Sequence, residues 1–594
     1  MKQYNIKLRV RWCDLVDRVL LILILVFFAG GLTPTRAQQT TPPSQQLQVP
    51  AIAPDYRAEQ KSLPELGRVG VDMDKQRPLS LHEALALALE NNKDIEVARH
   101  NVKLAEFALQ GSRGAYDPRV NAGFFFEHVE NPITSFLSGG TDGSITQSDF
   151  TNNARLEGLS PKLGGNYKVE FSSVRLNTNN LFSALSTQYP TSLTFTYTQP
   201  LLRGLKIDNN RRQIEIAKKN LSLTDAQFRQ RTIETITNVQ RAYWDLVFAL
   251  RNLQIQRDAV RDAKTQLEHN KRLVTEGSLA PIDVVAAEAQ VAGFEQTLFT
   301  ALEEVSRSEN NLKSLIAENR KAEIWTESLV PIDSVNLSPP SVSLDQAIKA
   351  AMENRAELQQ SNVLREINQL DQKYFRDQTK PQIDLAGSYG MIGLAGEIGD
   401  GINPFTASSK ELRDRVNLLS VTNGLAPLPE PPPQNIFPNL VGGFSQSIQN
   451  LFANRYSNYR FGVQINLPLR NRTAEAELGR SRVEGQRIAT QREQLEQLIQ
   501  VDVRNALQVV RSAEARLRAA AAAREASEQQ YQSEQRKLDA GQSTVFLVLE
   551  RQTALTAARG SELRAQTDLN KALAELQRAT GNSLIENSIV VRVR

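Results

Sequence analysis

The sequence predicts an α+β chain in which one unit is used twice and short strands are tied to very long helices. Three observations carry that reading. Ser80-Leu81-His82-Glu83-Ala84 returns as Ser343-Leu344-Asp345-Gln346-Ala347, and Asn91, Pro118, Pro200 and Gly277 return as Asn354, Pro381, Pro468 and Gly541. The offset stays between 263 and 268 residues, which a general likeness of Ala/Glu-rich helices does not explain. Residues 209–276 hold no proline and no glycine, enough for a helix of about 100 Å. Leu193-Thr194-Phe195-Thr196-Tyr197-Thr198 and Phe461-Gly462-Val463-Gln464-Ile465-Asn466-Leu467 alternate with the period of two that a half-buried strand requires.

The chain opens with a targeting segment. Lys2, Lys7, Arg9, Arg11 and Arg18 precede or border an apolar run at 19–31, and Thr35-Arg36-Ala37 supplies a small-x-small ending. That run is short of the ~20 residues of a spanning helix, so residues 1–37 read as a cleaved secretory signal rather than an anchor. The formal charge of +4 belongs to this segment, which carries six bases and two acids. The remaining chain is balanced, so no nucleic-acid partner is expected. No later stretch reaches 18 continuous apolar residues, which leaves a soluble exported protein or one that enters an outer membrane as strands.

The composition leans away from an enzyme. Cys13 is the single cysteine and precedes the apolar run, so it is not a lipoprotein cysteine. His82, His100, His128 and His269 have no metal-ligand spacing, and the HExxH start at His82-Glu83 fails at Ala86. No GxSxG, Walker or GxGxxG loop is found, and no catalytic, cofactor or metal residue is expected.

Residues 38–79, rich in Pro and Gln, read as a flexible extension. The first repeat spans 80–321, a linker 322–342, the second repeat 343–585 and a short tail 586–594. Each repeat opens with a short helix (81–90, 344–353) and a second one (95–111, 358–377). A proline then leads into a strand, near 118–127 or 381–390, and a long Gly/Ser/Asn/Pro-rich insert. The second strand, near 192–200 or 456–468, ends at the next proline. The long helix follows and stops at Gly277 or Gly541, as a C-terminal cap should. A last helix (281–319, 544–580) completes the repeat, with Pro281 in its first turn. The second and last helices together nearly match the long one, so one continuous helix can lie against two stacked shorter ones.

An elongated coiled coil would account for the helices but not for the strands. Four strands per chain cannot close a membrane barrel, which needs about eight, so closure requires other copies. Phe124, Phe125, Phe126, Tyr197, Tyr389, Tyr456, Tyr459 and Phe461 suit interfacial girdles; the alternative is a soluble sandwich with core aromatics.

The openings SLHEALALALENN and SLDQAIKAAMENR, the strand end TQPLLRG, and the helix turns GSLAPIDVVAAEAQ and GQSTVFLVLERQ resemble the TolC family of outer-membrane efflux proteins, over about residues 81–584. The resemblance implies a homotrimer whose 12-strand outer-membrane barrel, four strands per chain, continues into a periplasmic α-helical tube. It implies a passive conduit for drugs, metals or proteins, working with a periplasmic adaptor and an inner-membrane pump. Small-molecule efflux is the leading expectation and type I protein secretion the alternative. A non-channel periplasmic scaffold or adaptor is less favoured, because no lipoyl-like domain accompanies the hairpins.

The helix turns lie farthest from the strands, so Gly277, Ser278, Asp283, Gly541 and Ser543 are expected at the periplasmic tip that docks an adaptor. In the resembled family, acids just after the second turn ring a constriction. Glu550 falls at one such position and Leu547 replaces the other acid. The bland reading is a solvated Glu550, paired with Arg551 or Arg559 of a neighbour. The sequence departs from the family in its inserts, 128–190 and 391–455. The first holds a candidate extra hairpin at 159–169 around Gly164-Gly165, the second a Pro-rich run at 425–433. Both are expected to face outside the cell or to be disordered loops.

Overall fold

The computed structural model describes residues 67–135, 138–140, 143–335, 342–399, 404–429 and 436–590. The expected signal segment, residues 38–66 of the extension, part of the Pro-rich run, part of the linker and the last four residues lie outside the described residues.

The first repeat opens with α1 (Leu81–Asn91) and α2 (Lys93–Arg113). Ser80 accepts from the Glu83 N–H and Asn92 from the Asp94 and Ile95 N–H groups, so each helix start finds a side-chain acceptor for donors that would otherwise be orphaned. The long helix α3 (Asn209–Thr275) is capped by Asp208, and α4 (Pro281–Ile316) turns back along it. The second repeat repeats the scheme with α5 (Leu344–Asn354), α6 (Ala356–Gln378), α9 (Arg472–Asp539) and α10 (Val545–Thr580). At 67 and 68 residues, α3 and α9 are each about 100 Å long.

Stacking follows the length arithmetic. The upper half of α3 packs against α2 through Ile95, Val102, Leu221 and Phe228. Its lower half packs against α4, through Ala249, Leu253, Ala301 and Val305 and then Ala259, Val260, Val291 and Phe294. The second repeat fills its core with Ile499, Val503, Leu507, Val510, Leu569 and Leu576 around small alanines. Gly479 and Gly485 lie inside α9 without breaking it. Gly485 has a reason: a Cβ there would stand 2.7 Å from Asn368 Oδ1 and Gln372 Nε2 of α6.

The sheet departs from the four strands expected. Among the described residues six long antiparallel strands run in the order β10-β8-β6-β4-β3-β2. They are β2 (Arg119–Pro132), β3 (Ser144–Leu159), β4 (Asn166–Thr178), β6 (Thr191–Pro200), β8 (Gln382–Gly393) and β10 (Tyr456–Asn466). Short β5 (Leu185–Gln188) and β9 (Gly396–Ile398) pair beside β4. The additional β3 and β4 are a hairpin inside the first insert, turning where the Gly164-Gly165 pair was expected to turn, with Gly164 at φ +69°. The hairpin is far longer than the 159–169 segment suggested, because most of 128–190 pairs as sheet. The second insert instead forms α7 (Pro404–Thr422) and α8 (Phe444–Phe452). The α8 helix lies on the sheet, where Ser447 Oγ and Thr191 Oγ1 meet at 2.8 Å.

Two segments expected to be mere connections are built into the fold. From Gly67 the extension is ordered: β1 (Asp72–Leu79) pairs in parallel with β7 (Glu327–Pro331), which lies inside the expected linker. A buried ionic knot fixes them. Arg68 Nη1 donates to Glu309 Oε2 at 2.9 Å, Glu309 Oε1 accepts from the Leu329 N–H, and Lys313 Nζ donates to the Trp325 and Glu327 carbonyls. Tyr243 adds a hydroxyl bond to the Leu79 carbonyl at 3.1 Å. The second repeat ends in α11 (Ser583–Glu586), whose last residue opens the tail, and Gln240 Nε2 donates to Asn587 Oδ1 of the tail. Among the described residues no helix is long and apolar enough to cross a membrane.

Candidate functional site

A conduit needs a wall with two unlike faces. Cα partners across an antiparallel sheet share a face, so the registers sort every strand residue. One face carries Val120, Ala122, Phe124 and Phe126 on β2 and Phe150, Ala154 and Leu156 on β3. It continues through Tyr167, Val169 and Phe171 on β4, and Leu193, Phe195 and Tyr197 on β6. It ends with Ile383, Leu385, Tyr389 and Met391 on β8, and Tyr459, Phe461, Val463 and Ile465 on β10. Many of these are open, with Phe124 70%, Tyr459 75% and Phe461 76% exposed, so the chain alone leaves an apolar band uncovered.

The opposite face is polar. Arg155 Nη2 donates to Glu170 Oε1 at 3.0 Å, Lys168 Nζ reaches Glu170 Oε2 at 2.6 Å, and Asn121 Nδ2 donates to Glu157. Thr194, Thr196 and Thr198 of β6 and Asn458, Arg460 and Gln464 of β10 extend it. Such a two-faced sheet, apolar on one side and polar on the other, has the alternation of membrane-barrel strands. Phe125, exposed, and Val129 of β2 are apolar residues on the polar side.

The second place is the helical tip. Gly277 (φ +75°) and Gly541 (φ +74°) adopt the left-handed conformation that ends the long helices, with the Ser278 N–H returning to the Leu273 carbonyl and the Gln542 N–H to the Lys537 carbonyl. Asp283 Oδ2 accepts from the Ala280 N–H at 3.3 Å, and Thr544 Oγ1 accepts from the Leu547 N–H. The Ser543 hydroxyl donates to Glu534; that bond first, and Lys537 after it, hold the Glu534 carboxyl below its usual range. Ala287, Val545 and Leu549 are buried together with Leu279 and Leu538 packed around them, so the two turns meet. Gln290 Nε2 bridges the repeats to Thr553 Oγ1 at 2.6 Å.

Leu547 and Glu550 sit one turn apart on α10, Leu547 half-buried and Glu550 exposed. Within the chain Arg551 turns to Gln530 and Arg559 to Glu528, each at 3.3 Å. Glu550 has no ion-pair partner among the described residues. The expected tip residues thus lie together. The Ser543–Glu534 lock and the apolar joint between the turns were not foreseen, since both depend on a tertiary contact. Of the charged trio, Lys168 and Glu170 were readable from the period-two run Tyr167-Lys168-Val169-Glu170-Phe171, whereas Arg155 on β3 was not.

The sequence profile of the outer membrane efflux protein family matches residues 84–318 and 435–582. No curated protein matches the chain. Among solved structures, a membrane protein from Pseudomonas aeruginosa is similar at a TM-score of 0.57 and 15% identity, covering 86% of this chain and 91% of that one. The Campylobacter jejuni CmeC outer membrane channel matches at 0.57 and 14%, covering 88% and 94%. The open state of the Neisseria gonorrhoeae MtrE outer membrane channel matches at 0.53 and 17%, covering 85% and 89%. At such identities the likeness speaks for the fold.

Proposed function

We propose, since the chain belongs to the outer membrane efflux protein family and resides in the outer membrane, that three copies form the passive conduit of a tripartite export system. The observation that carries this is a sheet with one lipid-compatible face, whose strands run into helices about 100 Å long. The sheet would form the barrel and the helices a tube crossing the periplasm. The exported solutes are small molecules such as drugs or metals. An inner-membrane pump supplies the energy, and a periplasmic adaptor joins pump to tube.

The adaptor's helical hairpins dock at the turns around Gly277, Ser278, Asp283, Gly541 and Ser543. Ser278 is the cleaner probe, because Ser543 also locks its turn through Glu534. Ser278→Trp should abolish adaptor pull-down while the trimer survives; unchanged binding would move the docking site. Threefold symmetry would bring three Glu550 carboxylates towards one axis, with the three Leu547 side chains forming an apolar ring one turn away. In planar bilayers Glu550→Gln should weaken block by multivalent cations, and Leu547→Ser should raise open probability. Wild-type behaviour of both variants would place the gate elsewhere. The conduit as a whole is tested by mass measurement in detergent together with solute sensitivity of a deletion strain; a stable monomer would sink it.

A further inference from the structure

We propose that each copy contributes six strands to the channel wall, so that three copies close an 18-strand barrel in which β10 of one copy pairs antiparallel with β2 of the next. This rests on the channel reading above and adds the β3–β4 hairpin to the wall, where the sequence had suggested four strands per copy.

The hairpin has the build of a membrane segment. With 16 and 13 residues, β3 and β4 exceed the ~9–11 that a tilted spanning strand needs. Their apolar residues, Phe150, Ala154 and Leu156 with Tyr167, Val169 and Phe171, share a face with those of β2 and β6, which the Asn152–Ser173 pair crosses and which ends at Arg175 opposite Phe150, towards the end away from the helices. A flap in water would have no reason to align these rows. The opposite face holds the Arg155–Glu170–Lys168 ion pairs, beside the polar faces of the neighbouring strands.

Its turn also lies at the correct height. Arg211 Nη1 at the start of α3 donates to the Lys162 carbonyl at 3.1 Å, and Gln199 Nε2 donates to the Leu163 carbonyl at 2.8 Å. Both strands therefore run from the far end of the sheet down to the helices. An inserted pair keeps the up-and-down order intact. The β2 strand still leaves the helices and β10 still returns to them, so the two edges remain antiparallel.

Neither edge can stay bare in lipid, where unpaired N–H and C=O groups cost several kcal/mol each. The duplication names the partner. Within the chain, β6 ends the strands of repeat one and pairs with β8, which begins those of repeat two. The equivalent partner of β10 is a first-repeat β2, and only another copy can supply it. Carrying the β6–β8 register across by the offsets of the proline pairs, 268 for Pro200/Pro468 and 263 for Pro118/Pro381, sets Val463 opposite Phe126 and Ile465 opposite Phe124. All four belong to the apolar face, so this register keeps the two faces separate through the seam. Barrel diameter grows roughly linearly with strand number, so the wall would be about 1.5 times as wide as one of 12 strands.

The test uses the full chain with Cys13→Ser, assembled in outer membranes. Single variants Ala154→Cys and Val169→Cys should react with a charged, water-soluble maleimide at least tenfold more slowly than Asn423→Cys in the exposed turn just after α7, yet react with a membrane-dissolved maleimide. The pair Phe126→Cys/Val463→Cys should crosslink under oxidation into a ladder ending at three chains. Trimers whose positions 154 and 169 label as fast as 423 would show the hairpin outside the wall and leave the channel reading standing. Protected positions without a crosslink at 126/463 or 124/465 would overturn the seam. Failure to form any trimer in detergent would instead defeat the channel reading itself.

Discussion

The two repeats share their helices and differ in what they insert between their strands. The α4 and α10 helices are both 36 residues long and start 264 residues apart, so they can be compared position by position. Repeat one spends its insert on two further strands, repeat two on α7 and α8. The difference follows from local pattern. Residues 167–171 alternate strictly, whereas Glu411-Leu412-Arg413-Asp414-Arg415-Val416-Asn417-Leu418-Leu419 has apolar residues at helical spacing. The duplicated frame tolerates either insertion, because each one leaves and rejoins the sheet on the same side.

The largest asymmetry lies where the helices meet β1 and β7. Glu309 and Lys313 of α4 correspond to Leu573 and Gln577 of α10. The side chains of Glu309 and Lys313 are fully buried, and Arg68 is 6% exposed. Burial, opposed by Glu309, pushes the Lys313 ammonium down in pKa. Removing the carboxylate leaves two cations without their anion, at a cost of about 3–5 kcal/mol. Glu309→Ala should therefore lower the unfolding midpoint far more than Leu573→Ala, which trims a half-buried apolar contact. Equal losses would mean that the ionic knot contributes no more than ordinary packing.

This knot also shows where sequence reading stops. The repeat, the long helices, the capping glycines and the four strands, each begun or ended by a proline, were legible, because each leaves a periodic or punctuating signal. The β1 strand, Asp72-Met73-Asp74-Lys75-Gln76-Arg77-Pro78-Leu79, has no alternation and became a strand by pairing with β7 some 250 residues away. Arg68 and Glu309 look like solvated charges until the fold buries them. The β3 strand was missed because Asn152 interrupts its apolar row within an insert of loop-like composition. At the tip, Asp283 and Leu547 are equivalent, as are Ala286 and Glu550, so each turn keeps one acid at a different step. That exchange was readable from the repeat alone.

A middle-sized effect is expected where the long helices meet the second helices. Leu221 in α3 packs beside Ala105 in α2, while the equivalent Gly485 in α9 faces Asn368 in α6. Large and small have changed places. Asn368 is buried and donates to the Ser481 carbonyl at 3.0 Å, so it has little room to withdraw. Gly485→Leu should destabilise by about 1–3 kcal/mol through overpacking. Adding Asn368→Ala recreates the first repeat's pair and should recover more than half of the loss in thermal unfolding. No recovery would mean that the two interfaces are not interchangeable.

The smallest effect separates the seam inside the chain from the seam proposed between copies. Lys571 of α10 reaches Asp245 of α3 at 2.8 Å and Asp568 at 3.1 Å, joining repeat two to repeat one. Among the described residues its counterpart Arg307 pairs within α4 alone, and the counterpart of Asp245 is Val509, so the equivalent contact between copies would lack the bridge. Burial lowers the Lys571 pKa, but the hydrogen bond and charge of Asp245, then those of Asp568, outweigh it and raise the value above 10.5. A raised lysine pKa stabilises the fold fully below 10.5, and the gain fades as pH climbs through the folded value. Because the carboxylates are partly solvated, the bridge is worth under ~1 kcal/mol. Lys571→Met should thus differ from wild type slightly at pH 7–9, and the difference should vanish once pH exceeds the raised value. A difference that widened with pH would mean that burial, not the carboxylates, dominates the site, and the seam would then be held by its apolar contacts alone.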